Sequence, residues 1–353
     1  MPRSERPAPA ASNRASRASE ADAQRDGLAL LLQRTPLDEL DRRLVEQLQD
    51  DGRRSILDLA RALGASPKTV RKRVARLIDS HVIQITAVTT PEALGYGAIA
   101  LVGLELDGTR EATAVAADLA RLEAADYVVV ATGRYAIYVE LFCRDRSELG
   151  RTVDRRVRTL AGVRSAEVFP YLRLHYQQAQ FASARAKTID TPAVRPVPLE
   201  PLDRAIVGEL THDGRRPYLQ IARNLGISEA QVRQRVQLII ERGVARIIAI
   251  ANPLGLGYDT TAWIAIRVEA RTAVLEVADR LSALSAITYV AICAGRFDIF
   301  AEIACTSNED LLEILDRDVR TIRGVAQLEI AIYLDLHYKR LLPVATAERP
   351  AGS

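Results

Sequence analysis

A 136-residue stretch of this chain recurs without a gap 162 positions later. Asp41–Tyr176 falls on Asp203–Tyr338 with 53 identities. "LDRRLVEQLQDDGRR" aligns with "LDRAIVGELTHDGRR", "ATGRYAIYVEL" with "CAGRFDIFAEI", and "LRLHY" with "LDLHY". The period is too long for a solenoid, whose repeats run to about 20–50 residues. Each copy must therefore be a unit of one or two domains, and both copies must share one architecture.

Within the first copy, Leu44, Val45 and Leu48 share one helical face, with Asp41 as an N-cap or first-turn acid. Gly52 closes that helix. Ser55 caps a second, which buries Ile56, Leu59, Ala60 and Leu63 and stops at Gly64. Ser66 then caps a third helix with Pro67 in its first position. Val70, Val74, Leu77 and Ile78 form its apolar face. Three helices around a tight glycine turn make the helix-turn-helix pattern.

The opposite face of the third helix carries the chemistry. Ser66–Ser80 holds Lys68, Arg71, Lys72, Arg73 and Arg76 against Asp79, a net +4. At 100° per residue, Lys68, Thr69, Lys72 and Arg76 point away from the core, and Arg71 and Arg73 flank them. Such a helix fits the major groove, with outward side chains near its start reading base edges and flanking arginines holding phosphates. Arg53 and Arg54, between the first two helices, are candidates for further phosphate contacts. A merely solvated helix would show mixed charge, as the first helix does.

The second copy keeps the apolar face but not the charge. Lys68, Lys72 and Arg76 become Ala230, Gln234 and Leu238, and Ser228–Arg242 nets +1. Phosphate neutralisation supplies much of DNA affinity, so this reader should be weaker. Its candidate contacts are Ser228, Gln231, Arg233, Gln234 and Arg235, with Arg215 and Arg216 on phosphates. Gln231 and Gln234 suit adenine. The alternative is that this unit has become architectural.

Val82–Val88 and Val244–Ile250 alternate as short strands, each a wing or a connecting hinge. Beyond them each copy reads strand, helix, strand, turn, strand, helix, strand: Ala98–Leu106, Thr113–Leu122, Tyr127–Thr132, Ala136–Cys143, Ser147–Thr159 and Val163–Tyr176 in the first. That βαββαβ order is the ferredoxin-like split motif. Two helices cover one face of its sheet. The other face needs a partner, and the second copy supplies an equivalent one.

These residues resemble the Lrp/AsnC (feast/famine) regulators. The pattern "LDxxDRxxxxxLxxDGRRxxxxLAxxLGxS", the "VRxRVxxLI" helix, the "LGY" junction and the "TGRY" turn carry the resemblance over both copies. It implies an α/β (α+β) chain: two tandem copies of a winged helix-turn-helix domain followed by a ferredoxin-like domain. It further implies double-stranded DNA as partner, sheet-to-sheet dimerisation, and an amino acid or related small effector. Most members carry one copy. The family's turn between the second and third strands often reads Gly-x-x-Asp. Gly295-Arg296-Phe297-Asp298 keeps it, and Gly133-Arg134-Tyr135-Ala136 loses the acid. An effector near these turns would meet Gly133, Arg134 and Tyr135 in one copy and Gly295 to Asp298 in the other. The glycines equally suit plain positive-φ hairpin turns.

Siroheme decarboxylases look similar on this fold, and that makes an enzyme the alternative. Those enzymes carry histidines in the second and third strands, which have none here. His175 and His337 lie in the last strands, and His81 and His212 are isolated. The sequence offers no evident paired carboxylates, metal-ligand spacing or nucleophile–base motif. An interaction protein without DNA binding is a third class, which the basic helix opposes.

The expected organisation is an arm over 1–36, helix-turn-helix domains over 37–95 and 199–257, sensing domains over 96–178 and 258–341, a linker over 179–198 and a tail over 342–353. The arm is rich in alanine, arginine, serine and proline and reads as disordered. Its Arg3, Arg6, Arg14 and Arg17 are candidates for phosphate contacts. Net charge is only +3, so distribution matters more than total. Three scattered cysteines suit a reducing cytoplasm, and no apolar run approaches a membrane span. We expect no cofactor, and either a homo-oligomer or an intramolecular pseudo-dimer.

Overall fold

A computed structural model describes residues 37–80, 82–89, 91–177, 199–251 and 258–338. The arginines expected in the N-terminal arm, the linker 179–198 and His81 lie outside these residues. The first tri-helical unit forms as its caps and glycines dictate, and the second follows it with fewer side-chain caps. In the first, α1 spans Glu39–Asp50, α2 Ile56–Leu63 and α3 Pro67–Asp79. Ser55 and Ser66 cap α2 and α3 through their hydroxyls, and Gly64 takes the left-handed conformation that ends α2. Against the sequence reading, Ile56 and Leu63 are only half-buried and Ile78 is exposed, because each lies at the edge of its helix's apolar face. Asp41 takes the second of its two expected roles, a first-turn acid. Asp38 is the N-cap of α1, and Asp41 sits three residues inside as the reciprocal member of a capping box.

The strand after α3, β1 (Ile83–Thr89), does not fold back on its own unit. It pairs antiparallel with β6 (Ala245–Ala251), its counterpart in the second copy. Thr86 faces Ile248, and these are equivalent positions of the repeat, so a pseudo-twofold axis passes between them. In the second unit α6 covers Pro201–His212, α7 Tyr218–Leu225 and α8 Glu229–Glu241. A single apolar core, including Leu48, Leu59, Val70, Ile85, Leu210, Ile221, Val232 and Ile247, runs through both units.

Gly52 and Gly214 permit this close approach. Gly52 N–H donates to Ile247 and Gly214 N–H to Ile85. A Cβ on Gly52 would lie 2.8 Å from Ile85 Cγ2 and 3.0 Å from the Ile248 backbone, and one on Gly214 would lie 2.9 Å from Thr86 N.

The second half of each copy is the expected βαββαβ unit. The first runs β2 (Ala98–Leu106), α4 (Ala112–Ala120), β3 (Ala125–Ala131), β4 (Ile137–Cys143), α5 (Arg146–Thr152, continued by a π turn over Val153–Val157) and β5 (Val163–Gln177). The second runs β7 (Thr260–Val268), α9 (Val274–Ser282), β8 (Ile287–Cys293), β9 (Ile299–Cys305), α10 (Asn308–Ile314, with a π turn over Leu315–Val319) and β10 (Val325–Tyr338). The two sheets close into one eight-stranded barrel, in the order β10-β3-β4-β2-β5-β8-β9-β7. The long last strands close it. β5 pairs first with its own β2 and then with β8 of the other copy, while β10 pairs with β7 and then β3. Outside, the helices pack on their own sheets through separate apolar clusters. Inside, both copies contribute to a mainly aromatic cluster with Tyr135, Tyr138, Phe169, Trp263, Phe297 and Phe300.

Alanine at Gly52 is expected to cost roughly 1–3 kcal/mol by overpacking, read as a lower urea midpoint. An unchanged midpoint for both Gly52→Ala and Gly214→Ala would mean the hinge has room the geometry denies.

Candidate nucleic-acid interface and barrel interior

On α3 the outward positions behave as the helical wheel requires, with one exception. Lys68, Thr69, Arg71 and Lys72 are exposed, and no ion pair engages the three cations among the described residues. Thr69 shares a hydrogen bond with the capping Ser66 hydroxyl. Arg76 was expected to point away from the core, but its guanidinium turns back to Asp41, a carboxylate only 1% exposed. Arg73 joins it, donating to Asp41 at 2.9 Å and Asp38 at 2.5 Å. Two arginines thus neutralise one buried acid and tie α3 to α1. This contact holds Arg73 above its ordinary range, mainly through Asp38.

The interhelical arginines, expected on phosphates, are engaged within the molecule. Arg53 donates to the Gly214 and Arg216 carbonyls and lies over the Tyr218 ring at 4.2 Å. Arg215 reciprocates to the Gly52 and Arg54 carbonyls. Burial, then neighbouring Arg53, pulls Arg215 below its ordinary range. Arg54 holds Gln47, and Arg216 holds Glu209. Arg53 and Arg215 thus bolt the two units together beside the β1–β6 ribbon, while the Arg54 and Arg216 side chains stay within their own units. An open, polar cavity of about 730 Å³ remains beside Arg53 and Arg54, lined also by Ser55 and Asp58.

On α8 the outward groups are largely committed. Arg233 pairs with Glu229 at 2.8 Å and lies 5.5 Å from the Tyr218 ring. Arg235 pairs with Asp203 at 2.7 Å and Glu200 at 3.1 Å. Gln231 closes a capping box with Ser228. Gln234 is exposed.

The two candidate sensing turns lie at the junction of the copies. Gly133 (φ 94°) and Gly295 (φ 137°) both take the left-handed φ that the hairpins need. Tyr135 and Phe297 point into the barrel and are 1% exposed. A Cβ on Gly103 would sit 2.6 Å from the Tyr135 ring, so that ring has its place because Gly103 has no side chain. Tyr135 donates to Glu167, and Arg296 donates to the Tyr135 hydroxyl at 2.9 Å. Arg296 also lies 3.5 Å from Glu167 and 3.8 Å from Glu329. Arg134 lies 3.9 Å from Glu105. Asp298, the acid kept only in the second turn, accepts the Val268 N–H at 2.8 Å and so closes its own strand end.

Sequence reading missed the acids inside the barrel. Glu140 on β4 accepts from Tyr171 at 2.7 Å and from Tyr289 of the other copy at 2.6 Å. Glu302 on β9 accepts from Tyr333 at 2.7 Å, Tyr127 of the other copy at 2.5 Å and Thr288 at 2.6 Å. Each glutamate is thus clamped by one tyrosine from each copy. The available signal was an acid at inward parity within an apolar strand, present in both "YVEL" and "FAEI". The sites are unequal, because Thr288, which donates to Glu302, is replaced by Asp126 in the first copy. Burial raises the Glu140 carboxyl to about 7, opposed by its tyrosine donors and assisted by the Glu302 charge. His175, expected to be structural or exposed, pairs with Asp279 on α9 of the other copy at 2.9 Å.

A carboxyl held above its ordinary 4.5 favours the folded state at low pH. That contribution is lost as pH rises through about 7. Glu140→Gln carries no charge to bury. Its stability relative to the unaltered chain should rise by roughly 2–3 kcal/mol between pH 5 and pH 9. Thermal unfolding at the two pH values measures it, and a pH-independent difference would show that Glu140 is not the titrating group.

Comparison with known proteins agrees with this geometry. The AsnC-type helix-turn-helix domain matches residues 37–78 and again 199–238. The Lrp/AsnC ligand binding domain matches 98–181, and the PF0864 C-terminal dimeric alpha+beta barrel domain matches 260–342. An HTH-type transcriptional regulator of Pyrococcus furiosus is 38% identical over 135 residues, covering 38% of this chain and 90% of that protein. The regulatory protein AsnC of Escherichia coli is 26% identical over 138 residues, covering 39% of this chain and 91% of AsnC. Among solved structures, the siroheme decarboxylase NirDL covers 86% of this chain and 94% of its own, with a TM-score of 0.61 and 17% identity.

Proposed function

We propose that this chain, which belongs to the Lrp/AsnC family of helix-turn-helix transcription regulators, reads DNA chiefly through α3 of its first copy. The observation that carries this is the contrast in free charge. Lys68, Arg71 and Lys72 stand exposed on α3 with no ion pair among the described residues, whereas both arginines of the α8 helix are held by acids. Free cations release counterions from phosphate, and paired ones must first break their own ion pairs. The second unit then serves mainly as the internal partner that orients the first. Pairing within one chain supplies a two-unit frame in which the units face each other across a pseudo-twofold axis.

The sensing turns are the proposed effector region, with an amino acid or related small molecule as ligand. The match to a ligand binding domain over 98–181 supports this for the first copy. We read the chain as a regulator rather than an enzyme. The likeness to NirDL is one of fold, and at 17% identity it brings no chemistry with it. Saturable promoter binding supports the regulator; tetrapyrrole binding with release of CO₂ would replace it. A DNA target of this kind fits a cytoplasmic site of action.

Lys72→Ala and Arg71→Ala should each weaken DNA binding by about 1 kcal/mol or more and lower the salt slope by about one. Arg233→Ala and Gln234→Ala should change it far less. Mobility shifts over a salt series measure both, and equal losses from the two helices would reject a dominant first reader.

A further inference from the structure

The two copies agree at 53 of 136 positions, yet one pair of equivalent helices has opposite charge. From Arg144 to Arg158, around α5, six arginines stand against three acids, a net +3. From Thr306 to Arg320, around α10, two arginines stand against five acids, a net −3. Two equivalent pairs are direct reversals: Arg151 against Glu313, and Arg156 against Asp318. All four are exposed, and of them Glu313 already holds Arg317 one turn along its own helix, a pair that docking would have to share or exchange.

Shape differs in the complementary sense. Leu312 is 59% exposed on α10, with Glu313 beside it. Its equivalent on α5 is Gly150, where even a Cβ would meet nothing within 4 Å. One helix presents an apolar knob ringed by carboxylates. The other presents an open floor ringed by guanidiniums. Each helix packs on the sheet of its own copy, and among the described residues no ion pair joins α5 to α10 within the chain.

We propose that α5 of one chain docks on α10 of a second copy of the same chain. Contact between two α5 faces would set arginine against arginine, and between two α10 faces acid against acid. Only the unlike pairing brings Arg151 and Arg156 to Glu313 and Asp318 and seats Leu312 over Gly150. Complementary charge fixes partner and register, and like charge excludes the alternatives. Because the two surfaces differ, the contact is head-to-tail, and it propagates into a ring or an open filament. The free DNA-reading helices of successive chains are thereby gathered on one assembly.

The test uses the full chain at tens of micromolar, followed by light scattering after size exclusion without DNA. The unaltered chain should give a multiple of its 38.8 kDa mass at about 50 mM salt and shrink toward one chain at about 500 mM, where screening shortens to a few ångström. Arg151→Glu with Arg156→Glu makes both faces acidic, and Glu313→Arg with Asp318→Arg makes both basic. Each variant alone should remain a single chain, and an equimolar mixture should recover the multiple. If a reversal unfolds by circular dichroism, the neutral pair Arg151→Gln with Arg156→Gln should still weaken association roughly tenfold. A single-chain mass for the unaltered protein at low salt overturns the proposal, as does full association of either folded variant alone. An acidic variant that keeps its mass but loses DNA would also overturn it, identifying α5 as a phosphate contact instead.

Discussion

Neither last strand of the repeat is satisfied by its own sheet. β5 and β10 each run on past their own partner and complete the sheet of the other copy. A sheet edge left unpaired exposes a row of peptide groups, and closing the barrel removes both edges together. The clamps on Glu140 and Glu302 depend on that closure, because each uses a tyrosine delivered by either copy. So does the aromatic interior, where Phe169 of the first copy packs on Phe297 and Phe300 of the second. The β1–β6 ribbon repeats the principle at the helical end, and Arg53 and Arg215 lock it with reciprocal bonds to backbone carbonyls.

Most of the fold was legible because its signals are local. Serine caps, Gly64, Pro67 and the 3.6-residue apolar spacing mark the tri-helical unit, and β2 covers the expected Ala98–Leu106. The partner for the open sheet face also follows from the repeat itself. What stayed hidden was set by contacts distant in sequence, from 35 residues for Arg76 to 163 for Arg53. Nothing local says that Arg53 will spend its donors on Gly214 and Arg216, or that β1 will find β6. A helical wheel gives Arg76 a direction but not the buried Asp41 that bends it back. The sequence marks where the charge lies but not which charges are already engaged.

Duplication allowed these inequalities to arise. In a symmetric dimer every substitution appears twice, on both sides of the axis. Within one chain each side changes alone. Thr288 then neutralises part of the demand of Glu302 while Asp126 leaves Glu140 without that donor. Trp263 takes the place of Leu101 in the shared interior, and Phe297 that of Tyr135. The interior becomes a fit between two different surfaces, which favours this pairing over like with like.

The same freedom acts on the outer surfaces, where it bears on DNA. A symmetric regulator presents two equal readers and gains affinity from engaging both half-sites at once. Here one reader exposes Lys68, Arg71 and Lys72, and the other has Ala230 and Gln234 in place of Lys68 and Lys72. A chain with one strong reader loses that gain unless a second chain restores it. Sharing one duplex between chains then depends on a contact between copies, and α5 and α10 carry opposite charge on opposite halves of the chain. Weakening one reader and polarising the outer helices are coupled consequences of a fused dimer: the first lowers the affinity of a chain acting alone, and the second makes assembly the route by which it is recovered.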